Sequence, residues 1–288
     1  MATYAGGVRI DVWSDVLCPF CHLGRRHLAL ALEEFEHADQ VSVIWHSYQL
    51  EPEAPATAEG STVERLAEKY DVDRDQMVAT QEQLAADAAE VGLDYRWQDT
   101  VGGNSYDAHR IIHFARFHGL EEAVTDRVMR AWFTEGRSIG DQDVLVELAT
   151  EAGLDPEEVR GVLAQDSFGA EVRADIDLAT RIGVTAVPTF VLDQKYGVTG
   201  VQPVKIMLGA LRYAWEEQGT PSGGGCGGNC GCGGGAPAEQ AEPASADICG
   251  SGGCGSGGCG CGAGAPEPEA EPVPAGAGGC GGGGCGCR

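Results

Sequence analysis

Two cysteines separated by two residues, Cys18-Pro19-Phe20-Cys21, are the side chains of this chain best suited to chemistry. Thiols at that spacing fit on one helical turn, near enough to join as a disulfide or to hand one on. Disulfide exchange needs a thiolate that attacks a sulfur in line, a mixed-disulfide intermediate and a second thiol to resolve it. What the pair can do depends on the elements that hold it. An apolar run, Val8-Arg9-Ile10-Asp11-Val12-Trp13, reads as a strand and hands over to a helical stretch from Leu23 towards Phe35. A sulfur at that junction meets the unpaired N–H groups and the positive dipole end of the helix, which favours thiolate over thiol. Cys18 is therefore the expected nucleophile and Cys21 the resolving thiol. Half a zinc site and a pair of inert core thiols are the competing uses of such a pair, and the strand-to-helix setting favours catalysis over both.

Pro19 removes one N–H from the helix start and Phe20 brings no charge, so a redox potential between those of a strong oxidant and a strong reductant is expected. A second segment, Gly183-Val184-Thr185-Ala186-Val187-Pro188-Thr189-Phe190-Val191-Leu192, reads as a loop, an X-Pro bond and a buried strand. Proline in that place suits a cis bond in a tight turn. Pro188 is expected to face the sulfurs, with Val187 offering backbone N–H and C=O to an extended substrate beside Pro19 and Phe20.

Between these segments, Val41-Ser42-Val43-Ile44-Trp45-His46 alternates as a strand, and helical spacing then runs from Thr62 to about Gln165, with turn signals at Gly102-Gly103, Gly119, Gly136, Gly140 and Gly153. After Leu192 a turn leads to a hairpin partner near Gly197 to Gly200, and Pro203 opens a last helix to about Gln218. The order is strand, helix, strand, helical insertion, strand, strand, helix. This is an α/β, thioredoxin-like fold with core segments 8–61 and 181–218 and an all-helical insertion over 62–180.

Four segments in this order carry a resemblance to a family: Asp15-Val16-Leu17-Cys18-Pro19-Phe20-Cys21, Asn104-Ser105-Tyr106-Asp107-Ala108-His109-Arg110, Trp132-Phe133-Thr134-Glu135-Gly136-Arg137 and Gly183-Val184-Thr185-Ala186-Val187-Pro188. From about Val8 to Trp215 the chain resembles the DsbA-type thioredoxin-fold oxidoreductases, most closely their cytosolic FrnE-like branch. The resemblance implies exchange with protein or small-molecule thiols and disulfides, glutathione among them, with Cys18 and Cys21 as the redox pair and Pro188 as the family's cis-proline. No cofactor is required for that chemistry. A glutathione-dependent isomerase or transferase is a related alternative, but such sites resemble this one with Ser at the nucleophile position.

Other residues invite chemistry less strongly. His109 and His113 share a helix face at i, i+4, yet no Glu follows His109 as in a zinc protease, so they and His118 are expected to be structural or substrate-facing. His22 is read either as acting electrostatically on the site or as an exposed side chain, and Trp13, Trp45 and Phe190 as core.

Composition divides the chain sharply. Of 288 residues, the last 70 hold ten of the twelve Cys and 27 of the 44 Gly, while every Trp, Tyr, Phe and His precedes them. A segment so poor in large apolar side chains cannot bury a core, so 219–288 is expected to be a disordered tail. Its thiols repeat one design: Cys226, Cys230 and Cys232; Cys254, Cys259 and Cys261, preceded by Cys249; and Cys280, Cys285 and Cys287. Glycines between thiolates let several sulfurs converge on a soft ion such as Zn²⁺, Cd²⁺ or Cu⁺. Three uses stay open: metal binding, a thiol relay for Cys18, or no defined role. A metallothionein-like sequestering protein, its redox domain keeping the tail reduced, is accordingly the alternative function.

Ahead of the tail, 38 acidic side chains face 18 basic ones, a surface that repels nucleic acid and anionic lipid. No run of about 18 apolar residues could span a membrane. Taking residue 1 as the true start, no secretory signal precedes the first strand, and a cytoplasmic location is expected.

Overall fold

The computed structural model describes residues 7–58 and 60–219. The ten thiols from Cys226 to Cys287, with the metal or relay role expected of them, lie outside the described residues.

Strand β1 (Val8–Ser14) is the middle of the sheet and almost wholly buried, which its near-continuous apolar run dictates. It leads through α1 (Pro19–Glu33) to β2 (Val41–Ser47), which lies parallel to it with Val8 opposite Val41 and Ser14 opposite Ser47. Parallel neighbours need a crossover, and α1 supplies it. On the other side of β1 run β5 (Thr189–Leu192) and then β6 (Tyr196–Thr199), both antiparallel to their neighbour, giving the order β2-β1-β5-β6.

Two-residue strands β3 (Thr57–Ala58) and β4 (Gly102–Gly103) form a separate ladder. The sequence marks Gly102-Gly103 only as a turn. Gly103 permits the ladder because a Cβ there would stand 2.9 Å from the Ala56 carbonyl oxygen. The helices between β2 and β5 are α2 (Thr62–Tyr70), α3 (Arg74–Glu90), α4 (Tyr106–Phe117), α5 (Glu121–Phe133), α6 (Gln142–Glu151), α7 (Pro156–Leu163) and α8 (Gly169–Ile182), and α9 (Val204–Gly219) follows β6. Helical structure thus runs well past Gln165. Phe168, in the left-handed region at φ 63°, breaks the chain before α8, and Gly183 at φ 79° ends that helix. Both are positive-φ positions, where a helix cannot continue.

Two large apolar cores result, with a smaller cluster around the cysteine pair and another of Val63, Ala67 and Met77 on α2 and α3. One joins Val8, Ile10 and Val12 of β1 with Leu28 of α1, Phe190 of β5 and Met207 and Leu211 of α9. The other fills the helical region around Ile111, Val128, Leu145 and Leu148, and reaches Val16 and Leu23, which flank the cysteine pair. Among the described residues no helix is long and apolar enough to cross a membrane.

Candidate active site

Cys18 is the N-cap of α1, in extended conformation at φ −88° and ψ 115°, and Pro19 takes the first helical position. Proline belongs there, since its fixed φ suits the helix and its missing N–H costs no hydrogen bond. No side chain caps this helix and no acidic residue lies in its first turn. The Cys21 and His22 amides both turn back to the Cys18 carbonyl, at 3.0 and 3.2 Å. The positive end of the helix is thus left to the Cys18 sulfur, with no carboxylate competing for it.

Both cysteines are buried free thiols, packed with Trp13, Ala179 and Val187. Cys18 Sγ approaches the Val187 carbonyl oxygen at 3.8 Å, and the Val187–Pro188 peptide is cis. Gly24, one turn into α1, makes this approach possible: a Cβ on it would lie 2.9 Å from Pro188 Cγ and 3.3 Å from Phe190 Cζ. Cys21 is fully enclosed. Burial pushes its thiol well above the ordinary range, and the neighbouring Cys18 sulfur adds to the effect. Burial thus favours the protonated form of Cys21. Of the remaining expected substrate contacts, Pro19 and Phe20 line a cleft beside Cys18, and Phe20 is half exposed.

Asp15 holds the turn that presents Cys18. Its backbone carbonyl accepts from the Cys18 amide at 3.1 Å. Its buried carboxylate accepts from the Leu17 and Leu50 amides at 3.2 and 2.8 Å, tying the turn to the loop after β2. His109 Nε2 stands 3.5 Å from the same carboxylate, within ion-pair range but unaligned for a hydrogen bond. His109 and Ser14 Oγ both border a second cavity of about 20 Å³.

Beneath the pair lies a polar network. The Trp13 ring stacks on His46, with centroids 4.5 Å apart, and its indole N–H donates to the Asp175 carbonyl at 3.1 Å. His46 bridges two carboxylates, Asp175 at 2.7 Å and Asp11 at 2.8 Å. Burial alone would lower the His46 pKa, but these two hydrogen bonds outweigh it and raise it. Burial likewise opposes ionisation of Asp175, yet bonds from His113 and His46 hold its carboxyl well below the usual range. His113 Nε2 reaches Ser47 Oγ at 3.0 Å and Asp175 at 3.2 Å. His109 and His113 accordingly face inward and brace α4 against the sheet, while His118 is exposed at the end of that helix. Among the described residues no group of three or more His, Cys, Asp or Glu side chains could hold a metal ion.

Of the two readings of His22, the exposed side chain is not what the structure shows: the residue is partly buried. It stacks on Phe133 with centroids 4.7 Å apart, and burial, with Arg25 nearby, lowers its pKa to about 4. It is uncharged at neutral pH and adds no positive charge to the site. Trp45 is only partly buried, its ring covered by the Arg25 guanidinium at 4.8 Å, whereas Trp13 and Phe190 are buried as core.

Sequence reasoning passes over three positioning residues. Asp15 stands out in the sequence only as part of a motif, and Gly24 and Asp175 carry no local signal, since each acts on a segment more than 100 residues away in the chain.

A mixed sheet with a helical crossover, an inserted helical layer and a dithiol at a helix start is the architecture of a thioredoxin-fold thiol–disulfide oxidoreductase. Within that class, residues 9–212 match the DSBA-like thioredoxin domain, and the chain belongs to that family. It is 30% identical over 188 residues to the uncharacterized protein YwbO of Bacillus subtilis (strain 168), covering 64% of this chain and 86% of that one. The crystal structure of a probable DsbA oxidoreductase, SCO1869 from Streptomyces coelicolor, superposes with a TM-score of 0.72 at 40% identity, over 78% of this chain and 97% of that one. A putative protein disulfide isomerase from Nitrosomonas europaea shares the fold at 15% identity, with a TM-score of 0.54 over 74% of this chain and 98% of that one.

Proposed function

We propose that the protein catalyses thiol–disulfide exchange through Cys18 and Cys21, with Cys18 as the atom that meets substrate. The supporting observation is the asymmetry of the pair: Cys18 is the N-cap of α1, lines a cleft and faces Val187, whereas Cys21 is fully enclosed and does not line the cleft. In the oxidising direction a substrate thiolate attacks Cys18 Sγ, the Cys18–Cys21 bond breaks, and Cys21 leaves and takes up a proton. A second substrate thiolate then attacks the substrate sulfur of the mixed disulfide and Cys18 leaves, so the substrate loses two electrons and the enzyme gains them. In the reducing direction Cys18 attacks a substrate disulfide and Cys21 resolves the adduct. Val187 offers its backbone to an extended substrate beside Pro188. Protein thiols and small thiols such as glutathione are the partners, and the cytoplasm, where the many other Cys would stay reduced, is the compartment.

The experiment is insulin reduction and thiol oxidation by the full chain and by Cys18→Ser and Cys21→Ala variants. Cys18→Ser is expected to be inactive, and Cys21→Ala to accumulate mixed disulfides at Cys18. Full activity without Cys18 would refute the assignment. For the tail we propose a soft-metal role, on the strength of ten Cys spaced by Gly. Elemental analysis of the purified full chain is expected to show Zn²⁺ or a comparable ion that is lost on truncation after residue 218, and a metal-free full chain would refute it.

A further inference from the structure

Beside Cys18 opens a cleft of about 110 Å³ between the start of α1, the loop after β2 and helix α2. Its floor is aromatic and neutral. Trp132 lies buried there, and the Tyr95 hydroxyl donates to Gln81 Oε1 at 2.6 Å. Its rim is apolar and open to solvent. Of the seven large apolar side chains exposed among the described residues, three surround this one cleft: Phe20, Leu50 and Tyr70. Such a concentration beside a reactive sulfur marks a binding surface rather than scattered surface residues.

The cleft is less acidic than the chain around it, with two cations and two acids among its lining side chains. Ahead of the tail, acidic side chains outnumber basic ones about two to one, and the whole sequence has three Lys. One of these, Lys69, lines the cleft together with Arg65, and both bind a single carboxylate: Lys69 Nζ to Glu51 Oε1 at 2.8 Å and Arg65 Nη1 to Glu51 Oε2 at 3.0 Å. Two cations on one acid leave a positive charge unbalanced at the rim. The cleft's only other acid, Asp15, is buried at its inner end and engaged by the Leu17 and Leu50 amides.

We infer that this cleft selects peptide substrates whose reactive cysteine is followed by a large apolar side chain and then a carboxylate. The apolar group would occupy the space over Trp132 and Tyr95 while the carboxylate meets Arg65 and Lys69. This specificity rests on Cys18 being the exchanging sulfur and names the substrate that sulfur is offered.

The test uses the full-length Cys21→Ala variant and blocked peptides whose cysteine is activated as a thiopyridyl disulfide. Cys18 thiolate attacks the peptide sulfur, the peptide–thiopyridyl bond breaks, and thiopyridone leaves with the electron pair and a proton. The adduct on Cys18 is quantified by peptide mass spectrometry, which separates it from adducts on the tail cysteines. At low salt, Cys-Phe-Glu is expected to react about fivefold faster than Cys-Phe-Lys, the size of an exposed charge contact, and the gap should close as salt is raised. It should outpace Cys-Ala-Glu by about tenfold, the worth of a partly buried phenyl group. Glutathione disulfide, acidic but without an apolar side chain, should fall with Cys-Ala-Glu. Two variants move the charge preference in opposite directions: Arg65→Gln with Lys69→Gln abolishes it, and Glu51→Gln, which frees both cations, enlarges it. Equal rates for all peptides, or a preference that survives loss of both cations, would overturn the specificity alone. If neither these peptides nor neutral dipyridyl disulfide labels Cys18, the exchange reading falls and the specificity with it.

Discussion

Helices α1, α3, α6 and α7 begin in two contrasting ways. The last three open on Asp73, Asp141 and Asp155, whose carboxylates accept from amides of the first turn at 2.7 Å (Gln76), 2.9 Å (Asp143) and 2.9 and 3.1 Å (Glu157 and Glu158). Each such cap contributes about 1 kcal/mol. Helix α1 opens on Cys18, which makes no side-chain cap bond, and has no acid in its first turn. Helices α2, α4, α5 and α8 also lack a side-chain cap, but each of α2 to α8 carries an acidic residue in its first turn, so among α1 to α8 only α1 starts with neither a cap nor an acid. What α1 forgoes in stability it keeps as unscreened positive potential at a sulfur, and the place where a local rule is broken coincides with the place where chemistry is proposed.

The largest effects should come from removing the sulfur. Cys18→Ser and Cys18→Ala are both expected to lose insulin reduction entirely. Serine can accept from the first-turn amides and alanine cannot, so the Ser variant should be more stable than the Ala variant by about 1 kcal/mol in urea unfolding under reducing conditions. Equal stabilities would mean that the amides at this start are not available to a capping atom, and the contrast with the Asp-capped helices would lose its meaning.

Next in size is Gly24→Ala. The added Cβ would stand 2.9 Å from Pro188 Cγ, so either α1 or the Pro188 loop must shift. A cost of about 1–3 kcal/mol in stability is expected, together with slower exchange at Cys18. A variant as stable and as active as the parent would show that the distance between the start of α1 and Pro188 is not critical.

These contrasts also explain what the sequence could reveal. The dithiol is legible because Val8 to Trp13 and the helix after it are local patterns, and the order of the longer strands and helices follows from hydrophobic period and turn signals. The role of Asp15, the Gly24–Pro188 approach and the His46–Asp175 bridge are not: the first depends on where its carboxylate points, and the other two join segments more than 100 residues apart. The burial of His22 escaped for a related reason: its partner Phe133 lies on α5, and no periodicity in α1 announces that contact. The β3–β4 ladder was hidden because two-residue strands carry no alternation to detect.

His22 supplies the third prediction, which concerns pH. Its folded pKa of about 4 lies below the unfolded value of about 6.5, so the unfolded chain takes up the proton first as pH falls. The stabilising effect of the neutral ring is complete above pH 6.5 and is lost progressively down to about pH 4. His46 works with the opposite sign, because its folded pKa is raised, so its contribution is already complete below pH 6.5 and does not change within this window. Asp11 and Asp175 have lowered values and lose their contributions only below the usual carboxylate range. Stability should therefore fall by an order of 2 kcal/mol between pH 6.5 and 4, the full shift being discounted for partial exposure of the ring. His22→Gln should flatten that slope, and a slope unchanged by the substitution would place its origin elsewhere.

The smallest effect tests the other side of the comparison. Asp155→Ala removes a carboxylate that accepts from two amides of α7, 3.1 Å or less from each. The residue is exposed, so neither a cavity nor a buried charge complicates the change. Pro156 fixes the first helical φ in the variant as in the parent, so the helix retains its start and loses only the cap. A loss of about 1 kcal/mol is expected, seen as a lower urea midpoint with an unchanged slope, and activity at Cys18 should be unaffected. The same substitution at Asp141, which accepts from Asp143 at 2.9 Å but from Val144 at only 3.4 Å, should cost less. If the two cost the same, or neither costs anything, side-chain caps matter little in this protein, and the uncapped start of α1 would then need no functional explanation.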